Sequence, residues 1–395
     1  MQQTWRWFGP ADPVTLADAR QAGAEGIVSA LHQFPSGEVW PVEAIRARQA
    51  EIAAAGLPWS VVESVNVSEA IKTNGPLCPA HTVACIETLA NLAACGLKTV
   101  CYNFMPVLDW LRTDLAYPMP DGSLSMRFHE PTLAAFDLFV LKRPGAQADW
   151  TEDEQRQARA IFDAMSPTEL DRLTGIVLAG LPGTQGRYSL EYVRGEIARY
   201  QELGEAGLRA NYRQFLRAVS PAAEELGIRL CVHPDDPPRS YLGLPRIVST
   251  EADLAWVLDQ SPEYANGITF CSGSLGVRAD NRLVAMAERF APRTHFVHLR
   301  ATRREGTAAA AARSFHEAPH LAGDVDIVGL MRVFVAEKRR RQLTEEPANI
   351  PFRPDHGNRM LTDLGRENVP GYPAVGRLKG LAELRGVLAA VEALV

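Results

Sequence analysis

The chain has 395 residues, with 41 Lys and Arg against 47 Asp and Glu, and its formal net charge is −6 at pH 7. Apolar residues make up 46% and charged residues 22%, which is typical of a globular protein and excludes a disordered chain, a fibre or a coiled coil. A mildly acidic chain without a basic block is a poor nucleic-acid partner. No apolar run reaches about 18 residues, so no membrane helix is expected. The N-terminal residues lack a secretory signal pattern, so we expect a cytoplasmic protein.

The six cysteines contain no C-x-x-C pair, which disfavours a zinc ribbon or a thioredoxin motif. In a cytoplasmic chain they are expected to be reduced thiols, and most free cysteines are small buried side chains. Cys271 is the exception, because it ends a predicted strand.

Eight short runs have the composition of buried β-strands. They are rich in Val, Ile, Thr and aromatic residues and are bounded by Gly and Pro. In chain order, these predicted strands are Trp5–Phe8, Gly26–Leu31, Trp59–Val65, Lys98–Phe104, Ile228–His233, Gly267–Cys271, His295–Leu299 and Ile350–Arg353.

Helical patterns separate most of these runs. The clearest are Val42–Ala55, Ala80–Cys95 and Tyr212–Leu226, each followed by a glycine suited to a left-handed helix C-cap. Pro221 is expected to kink or split the third. Repeated strand–helix units predict an α/β fold with a parallel sheet, and eight units predict a (β/α)₈ TIM barrel spanning residues 1–395 as a single domain. An open doubly wound sheet is the alternative, although its G-x-G-x-x-G loop is absent.

Two segments interrupt the regular pattern. Residues 117–227, between the fourth and fifth predicted strands, read as a helical insertion, with a turn at Pro-Asp-Gly 120–122 and a strand-like run at Gly175–Ala179. A second insertion is predicted at 301–326 and includes Ala308–Ala312, a helix-forming run.

The last four predicted strands each end near a side chain that can bind a metal. These side chains are His233, Cys271, His298 and Asp355, and the carboxyl ends of barrel strands meet on one rim, where active sites lie. Two imidazoles, a thiolate and a carboxylate suit a divalent transition metal better than Ca²⁺ or Mg²⁺. Each of these residues, taken alone, is more simply explained by a structural role. The prediction of a metal site therefore rests on their occurrence at four consecutive strand ends. The Asp235-Asp236 pair between prolines reads as a turn.

Several long motifs resemble the D-mannonate dehydratase (UxuA) family of hexuronate catabolism, and the similarity runs from residue 4 to about residue 385. The most specific motifs are Pro-Asp-Asp-Pro-Pro and Arg-Pro-Asp-His-Gly, both at strand ends. Asn66 departs from the pattern, which has Pro at that place. The matching segments include 5–10, 26–31, 37–41, 63–65, 100–106, 109–117, 233–238, 271–276, 297–300, 323–326, 353–357 and 370–372.

The resemblance implies a hydro-lyase on a (β/α)₈ barrel that converts D-mannonate to 2-keto-3-deoxy-D-gluconate and water. It implies Mn²⁺ or Fe²⁺ on the same four residues that the strand ends select, and catalytic roles for His356 and Tyr372. A proton leaves C2 and hydroxide leaves C3, so the reaction needs proton-transfer groups. Arg353 or Arg300 is expected to neutralise a carboxylate oxygen of the substrate through its planar fork.

Further polar and aromatic residues at the ends of the early strands are expected to bind substrate hydroxyls, namely Trp7, Asn103, Trp110 and Arg112. A small sugar acid is therefore the expected partner, and we expect a homo-oligomer, a dimer or larger. Two alternatives remain open at this point: a metal-dependent sugar isomerase or other aldonate dehydratase on the same barrel, and a non-catalytic barrel that binds a sugar acid. Product mass separates the isomerase, and loss of a metal ligand would mark the non-enzyme.

Overall fold

The computed structural model describes residues 1–179, 188–306, 313–344 and 346–394. Its strands, in chain order, are β1 (Gln2–Arg6), β2 (Gly26–Ser29), β3 (Trp59–Glu63), β4 (Thr99–Tyr102), β5 (Asp114–Pro118), β6 (Leu124–Phe128), β7 (Arg229–Val232), β8 (Asn266–Cys271), β9 (Thr294–His298), β10 (Ala301–Glu305), β11 (Ser314–Ala318) and β12 (Pro351–Arg353).

The α-helices surround the barrel and fill the first insertion. A π-helical turn at Phe136–Leu141 and short 3₁₀ turns at Ala146–Asp149, Ala291–Arg293 and Leu361–Gly365 complete the elements. The helices are α1 (Leu16–Gln21), α2 (Val42–Ala54), α3 (Glu69–Lys72), α4 (Cys78–Ala94), α5 (Glu130–Ala135), α6 (Glu152–Ala164), α7 (Pro167–Val177), α8 (Leu190–Glu225), α9 (Glu251–Asp259), α10 (Ser272–Gly276), α11 (Leu283–Phe290), α12 (Ile327–Leu343) and α13 (Ala374–Leu394).

Eight parallel strands close into a barrel in the order β1-β2-β3-β4-β7-β8-β9-β12. The first and last strands pair directly, with Gln2 opposite Pro351 and Gln3 opposite Phe352. The closed barrel confirms the predicted fold and all eight predicted strands, and it rules out the open sheet. All eight carboxyl ends therefore lie on one rim.

The barrel encloses its own apolar layer. Val28, Val61, Cys101, Cys231 and Phe296 form a separate buried cluster, and each comes from a different barrel strand. Side chains of alternate parity on the same strands join the larger core beneath the helices, because successive residues of a strand face opposite sides of the sheet. Both faces of the barrel sheet are buried, so its strands appear in the sequence as nearly continuous apolar runs.

The helix predictions are confirmed at their glycine ends. Gly56, Gly96 and Gly227 all have positive φ just beyond a helix C-cap. The run Tyr212–Leu226 is the second half of the much longer α8, which is interrupted at Gly204, where φ is 64° and ψ is 176°. The expected split of this helix at Pro221 is wrong, because the helix continues through that residue, and a kink there stays a prediction.

The two insertions meet in an unpredicted four-stranded antiparallel sheet, in the order β10-β11-β6-β5. The turn at 120–122 joins β5 to β6. The prediction of a strand-like run at Gly175–Ala179 is wrong. Gly175 to Val177 form the end of α7, and Ser166 caps the start of that helix. The run Ala308–Ala312 lies outside the described residues. Among the helices of the described segments, none has the length and apolar character needed to cross a membrane.

The backbone segment after β12 packs closely against the start of α13. This packing predicts how two glycine substitutions change stability. A Cβ added at Gly376, in the first turn of α13, would lie 2.0 Å from the backbone oxygen of Asn358, whereas one at Gly386 on the same helix would meet nothing within 4 Å. We expect Gly376→Ala to lower the free energy of unfolding by roughly 1–3 kcal/mol through overpacking. The control Gly386→Ala should raise it by roughly 0.5–1 kcal/mol.

Urea unfolding of the two variants measures both effects. An unchanged free energy of unfolding in Gly376→Ala would show that the backbone after β12 can shift at no cost in stability.

Candidate active site and metal centre

Three metal-capable side chains converge at the carboxyl ends of three neighbouring strands. His233 follows β7, Cys271 ends β8 and His298 ends β9. Their donor atoms all lie within 4.8 Å of one another, and Nε2 of His233 lies 3.1 Å from Nδ1 of His298. His233 is half-buried, whereas Cys271 and His298 are fully buried. The structure therefore has a possible metal site at the place that the strand ends predicted.

Asp355 lies beside this group. Its two carboxylate oxygens are 3.9 Å from Nδ1 of His298 and 3.8 Å from Sγ of Cys271. The residue follows β12 and has φ of 64°, a left-handed conformation that few non-glycine residues adopt. Such strained backbone conformations are frequent at functional sites.

The charge states of the group are suited to metal binding. Burial, reinforced by the Arg353 guanidinium, holds the pKa of His298 well below its usual value, so this imidazole is neutral. Burial opposes ionisation of Asp355, but Arg353 and the other nearby cations keep its pKa well below its usual range. A neutral imidazole and an ionised carboxylate are the forms that bind metals.

His233 donates from its other ring nitrogen, Nδ1, to the carbonyl oxygen of Pro234 at 2.7 Å. Nε2 faces the other donors, and such a bond from the second ring nitrogen is the usual arrangement of a metal-binding histidine. Burial opposes a charge on His233, but Cys271 and its neighbours raise the pKa of this imidazole to about 10, so a bound metal would displace a proton from the ring. The donor set of two imidazoles, a thiol and a carboxylate therefore fits a divalent transition metal.

A pocket adjoins this group and is lined by residues of β1, β3, β4 and β12, together with residues of the segments that follow barrel strands. Seven of the site residues predicted from the sequence line it: Asn103, Trp110, His233, Arg353, Asp355, His356 and Tyr372. The rings of His356 and Tyr372 are perpendicular with centroids 5.1 Å apart, and Trp110 meets His356 edge-on at 6.4 Å. Burial raises the pKa of Tyr372, so its hydroxyl stays protonated.

Two of the predicted arginines lie behind the pocket wall. Arg112 and Arg300 are both fully buried and both bind Asp236 and Glu317, with nitrogen–oxygen distances of 2.7–3.0 Å. Burial opposes ionisation of Glu317, but Arg300 and its neighbours lower the pKa of that carboxyl to about 2. The expectation that Asp235-Asp236 is a simple turn is wrong, because Asp236 is a buried ion-pair partner.

Trp7 is the one predicted site residue that lies away from the pocket and its ion-pair network. It is buried in the main core, where the guanidinium carbon of Arg48 lies 5.2 Å from its ring centroid.

Several residues near the pocket were missed by the sequence reasoning. Arg6 and Glu63 end β1 and β3 and line the pocket, but the predicted strands continue to Phe8 and Val65, so neither residue stands at a predicted strand end. Glu317 lies on β11 within the second insertion, and its carboxylate is 3.4 Å from Nδ1 of His356. No pattern in the sequence distinguishes this glutamate from a surface residue.

Comparison with known proteins identifies the family. The D-mannonate dehydratase (UxuA) family model matches residues 1–395. The chain belongs to the D-mannonate dehydratase family. A mannonate dehydratase from Chromohalobacter salexigens is 56% identical over 394 residues and covers 100% of both chains. Another from Marinomonas sp. is 50% identical and covers 98% of both.

Solved structures agree with this membership in the mannonate dehydratase family, whose reaction is that of a hydro-lyase. The mannonate dehydratase of Streptococcus suis serotype2 superposes with a TM-score of 0.77 at 30% identity, covering 100% of this chain and 94% of that chain. A xylose isomerase domain protein from Planctomyces limnophilus reaches a TM-score of 0.50 at 10% identity, covering 99% and 97%. That second likeness shows the fold alone.

Proposed function

We propose that this chain catalyses the metal-dependent dehydration of D-mannonate to 2-keto-3-deoxy-D-gluconate in hexuronate catabolism. Its full-length membership in the D-mannonate dehydratase family supports the reaction. The observation that carries the metal dependence is the convergence of the donor atoms of His233, Cys271 and His298 within 4.8 Å of one another, with His233 also lining the pocket.

We propose Mn²⁺ or Fe²⁺ as the metal, held by His233, Cys271, His298 and Asp355. A bound divalent cation would supply positive charge that stabilises the enediolate formed when C2 loses its proton. The chain's own contribution is a buried donor set in which one imidazole is neutral and the carboxylate is ionised.

His356 and Tyr372 are proposed as the two proton-transfer groups. The Glu317 carboxylate, 3.4 Å from Nδ1 of His356, favours the proton on that nitrogen and leaves Nε2 to accept the C2 proton. Tyr372 keeps its hydroxyl proton because burial raises its pKa, so it is suited to protonate the departing C3 hydroxyl.

The remaining predicted residues are assigned by position. Asn103 and Trp110 line the pocket, and the Trp110 indole nitrogen has no hydrogen-bond partner in the described structure, so both are proposed to bind substrate hydroxyls. Arg112 and Arg300 are proposed to hold Glu317 in place behind His356. Arg353 is proposed as a positioning residue, because it binds His298 and Asp355 at 3.1 and 2.7 Å.

An assay of metal-stripped protein tests the function. We expect product from D-mannonate only after Mn²⁺ or anaerobic Fe²⁺ is added, with a mass lower than the substrate by one water. Mass spectrometry of the product provides the readout, and unchanged mass would instead support a sugar isomerase. Absence of product with either metal would contradict the proposal.

Three further expectations stay predictions from the sequence. They are a cytoplasmic location, a homo-oligomer of two or more copies, and the absence of nucleic-acid or membrane partners.

A further inference from the structure

Two arginines of the described chain line the pocket, and every side-chain nitrogen of one of them already has a partner in the protein. Arg353 donates from Nε to His298 at 3.1 Å, and its two terminal nitrogens lie 2.7 Å from a carboxylate oxygen of Asp355 and 2.8 Å from one of Glu63. Arg300, behind the wall, is likewise bound to Asp236 and Glu317. The sequence-based expectation is that Arg353 or Arg300 neutralises the substrate carboxylate, but every side-chain nitrogen of both residues already has a partner in the protein.

Arg6 is the second pocket arginine, and its donors are not all used. It ends β1 and is 3% exposed. Nη2 donates to Nε2 of His32 at 3.0 Å, whereas Nη1 has no hydrogen-bond partner. The guanidinium carbon lies 4.6 Å from the ring centroid of Phe8, which meets Tyr372 edge-on. The arginine thus stands on the same wall as the proposed proton donor.

The charge of Arg6 is poorly compensated by the protein. Glu63, the carboxylate that most favours the charge, already forms a 2.8 Å ion pair with Arg353. His32 supplies no negative charge, since burial and then Arg6 and Arg48 lower its pKa to about 3. Because an arginine can only donate, the neutral imidazole must accept through Nε2.

A buried cation without a paired anion is costly, so a bound anion at this place would be strongly favoured. A sugar acid carries one carboxylate, and a guanidinium is well suited to bind it.

We propose that Arg6 binds the substrate carboxylate through Nη1 and that His32 holds its guanidinium plane. The proposal rests on the proposed function, and it moves the carboxylate contact from Arg353 or Arg300 to a residue on β1. The proposal also specifies the class of ligand, which is an aldonate with a free carboxylate and not a neutral polyol or sugar.

Two unreactive ligands test the charge recognition directly. The first is the 3-deoxy analogue of D-mannonate, which lacks the hydroxyl that would leave, and the second is its neutral primary amide. Calorimetry on the Mn²⁺-loaded protein gives the Kd of each. We expect Arg6→Met to weaken the acid by about 10- to 100-fold, the range for a charge-assisted hydrogen bond, and the amide by less than about threefold.

Arg229→Met is the matched control. Arg229 also has a terminal nitrogen without a partner, but it begins β7, at the opposite end of that strand from His233, and donates to Thr99 at 2.9 Å. Both ligands should bind this variant as they bind the wild type. Equal losses on acid and amide in Arg6→Met, or no loss at all, would overturn the proposal.

Arg6→Lys covers the case in which Arg6→Met does not fold. It keeps the charge and loses the planar fork, so we expect a loss of about 3- to 10-fold on the acid and none on the amide. Equal effects on both ligands would again overturn the proposal.

The binding comparison needs no turnover, so a wild type that fails to dehydrate D-mannonate refutes the proposed function separately. A dehydrating wild type whose Arg6→Met variant binds the acid normally refutes only the role of Arg6.

Discussion

His356→Asn is expected to lower kcat for D-mannonate by about 10²- to 10⁴-fold while metal content stays unchanged. The range is that of a lost general acid or base. His356 lines the pocket beside Tyr372, and its ring nitrogens lie 3.4 Å from Glu317 and 3.9 Å from Asp355. Steady-state kinetics and metal analysis on the same preparation separate a proton-transfer residue from a ligand.

The order of the proton transfers can be tested in the same experiment. In D₂O, Tyr372→Phe should still exchange the C2 hydrogen of D-mannonate, whereas His356→Asn should not. The reverse pattern would exchange the proposed roles of the two residues. His129→Asn is a control, because His129 precedes α5 and bonds to Thr132 away from the pocket, and it should retain wild-type kcat.

Cys271→Ser is expected to weaken Mn²⁺ binding by at least about 100-fold and to lower activity accordingly at limiting metal. The argument rests on the ligand itself: a serine hydroxyl stays neutral, whereas a metal-bound cysteine is a thiolate. Even the loss of an outer hydrogen bond to a ligand typically costs 10–100-fold in metal affinity. Equilibrium dialysis against Mn²⁺ measures the change.

Cys231→Ser is the matched control for this change. Cys231 is equally buried in the barrel, and its side chain donates to the carbonyl of Val100 at 3.4 Å, a bond that serine can keep. Substitution of Co²⁺ adds a readout besides activity, because the thiolate-to-cobalt absorption should be lost in Cys271→Ser and kept in Cys231→Ser. Retention of that absorption in both variants would remove Cys271 from the proposed ligand set.

The barrel could be predicted because its strands are buried on both faces and therefore stand out as short apolar runs. The convergence of His233, Cys271 and His298 was predictable for a related reason. The parallel strands of a barrel bring their carboxyl ends together whatever their distance along the chain. The residues near a side chain at a strand end can therefore be predicted from the sequence alone.

Other features depend on contacts that no local pattern encodes. Gly175 reads as part of a strand, but the Ser166 cap and the packing of the insertion place it in α7. Glu317 acquires its importance only when β11 carries it to Arg112 and Arg300. Arg6 resembles many arginines at strand ends, and only the unpaired nitrogen in a buried pocket distinguishes it.

The small sheet also constrains how the protein can change its length. Strand β6, from the insertion after β4, pairs with β11, from the insertion after β9, through Phe128 opposite Phe315 and Arg127 opposite His316. Ser125 on β6 also donates to the carbonyl of Glu317 at 2.7 Å. Deleting either hairpin would leave the other with an open edge available for aggregation. The two insertions, distant along the chain, therefore each cover a strand edge of the other.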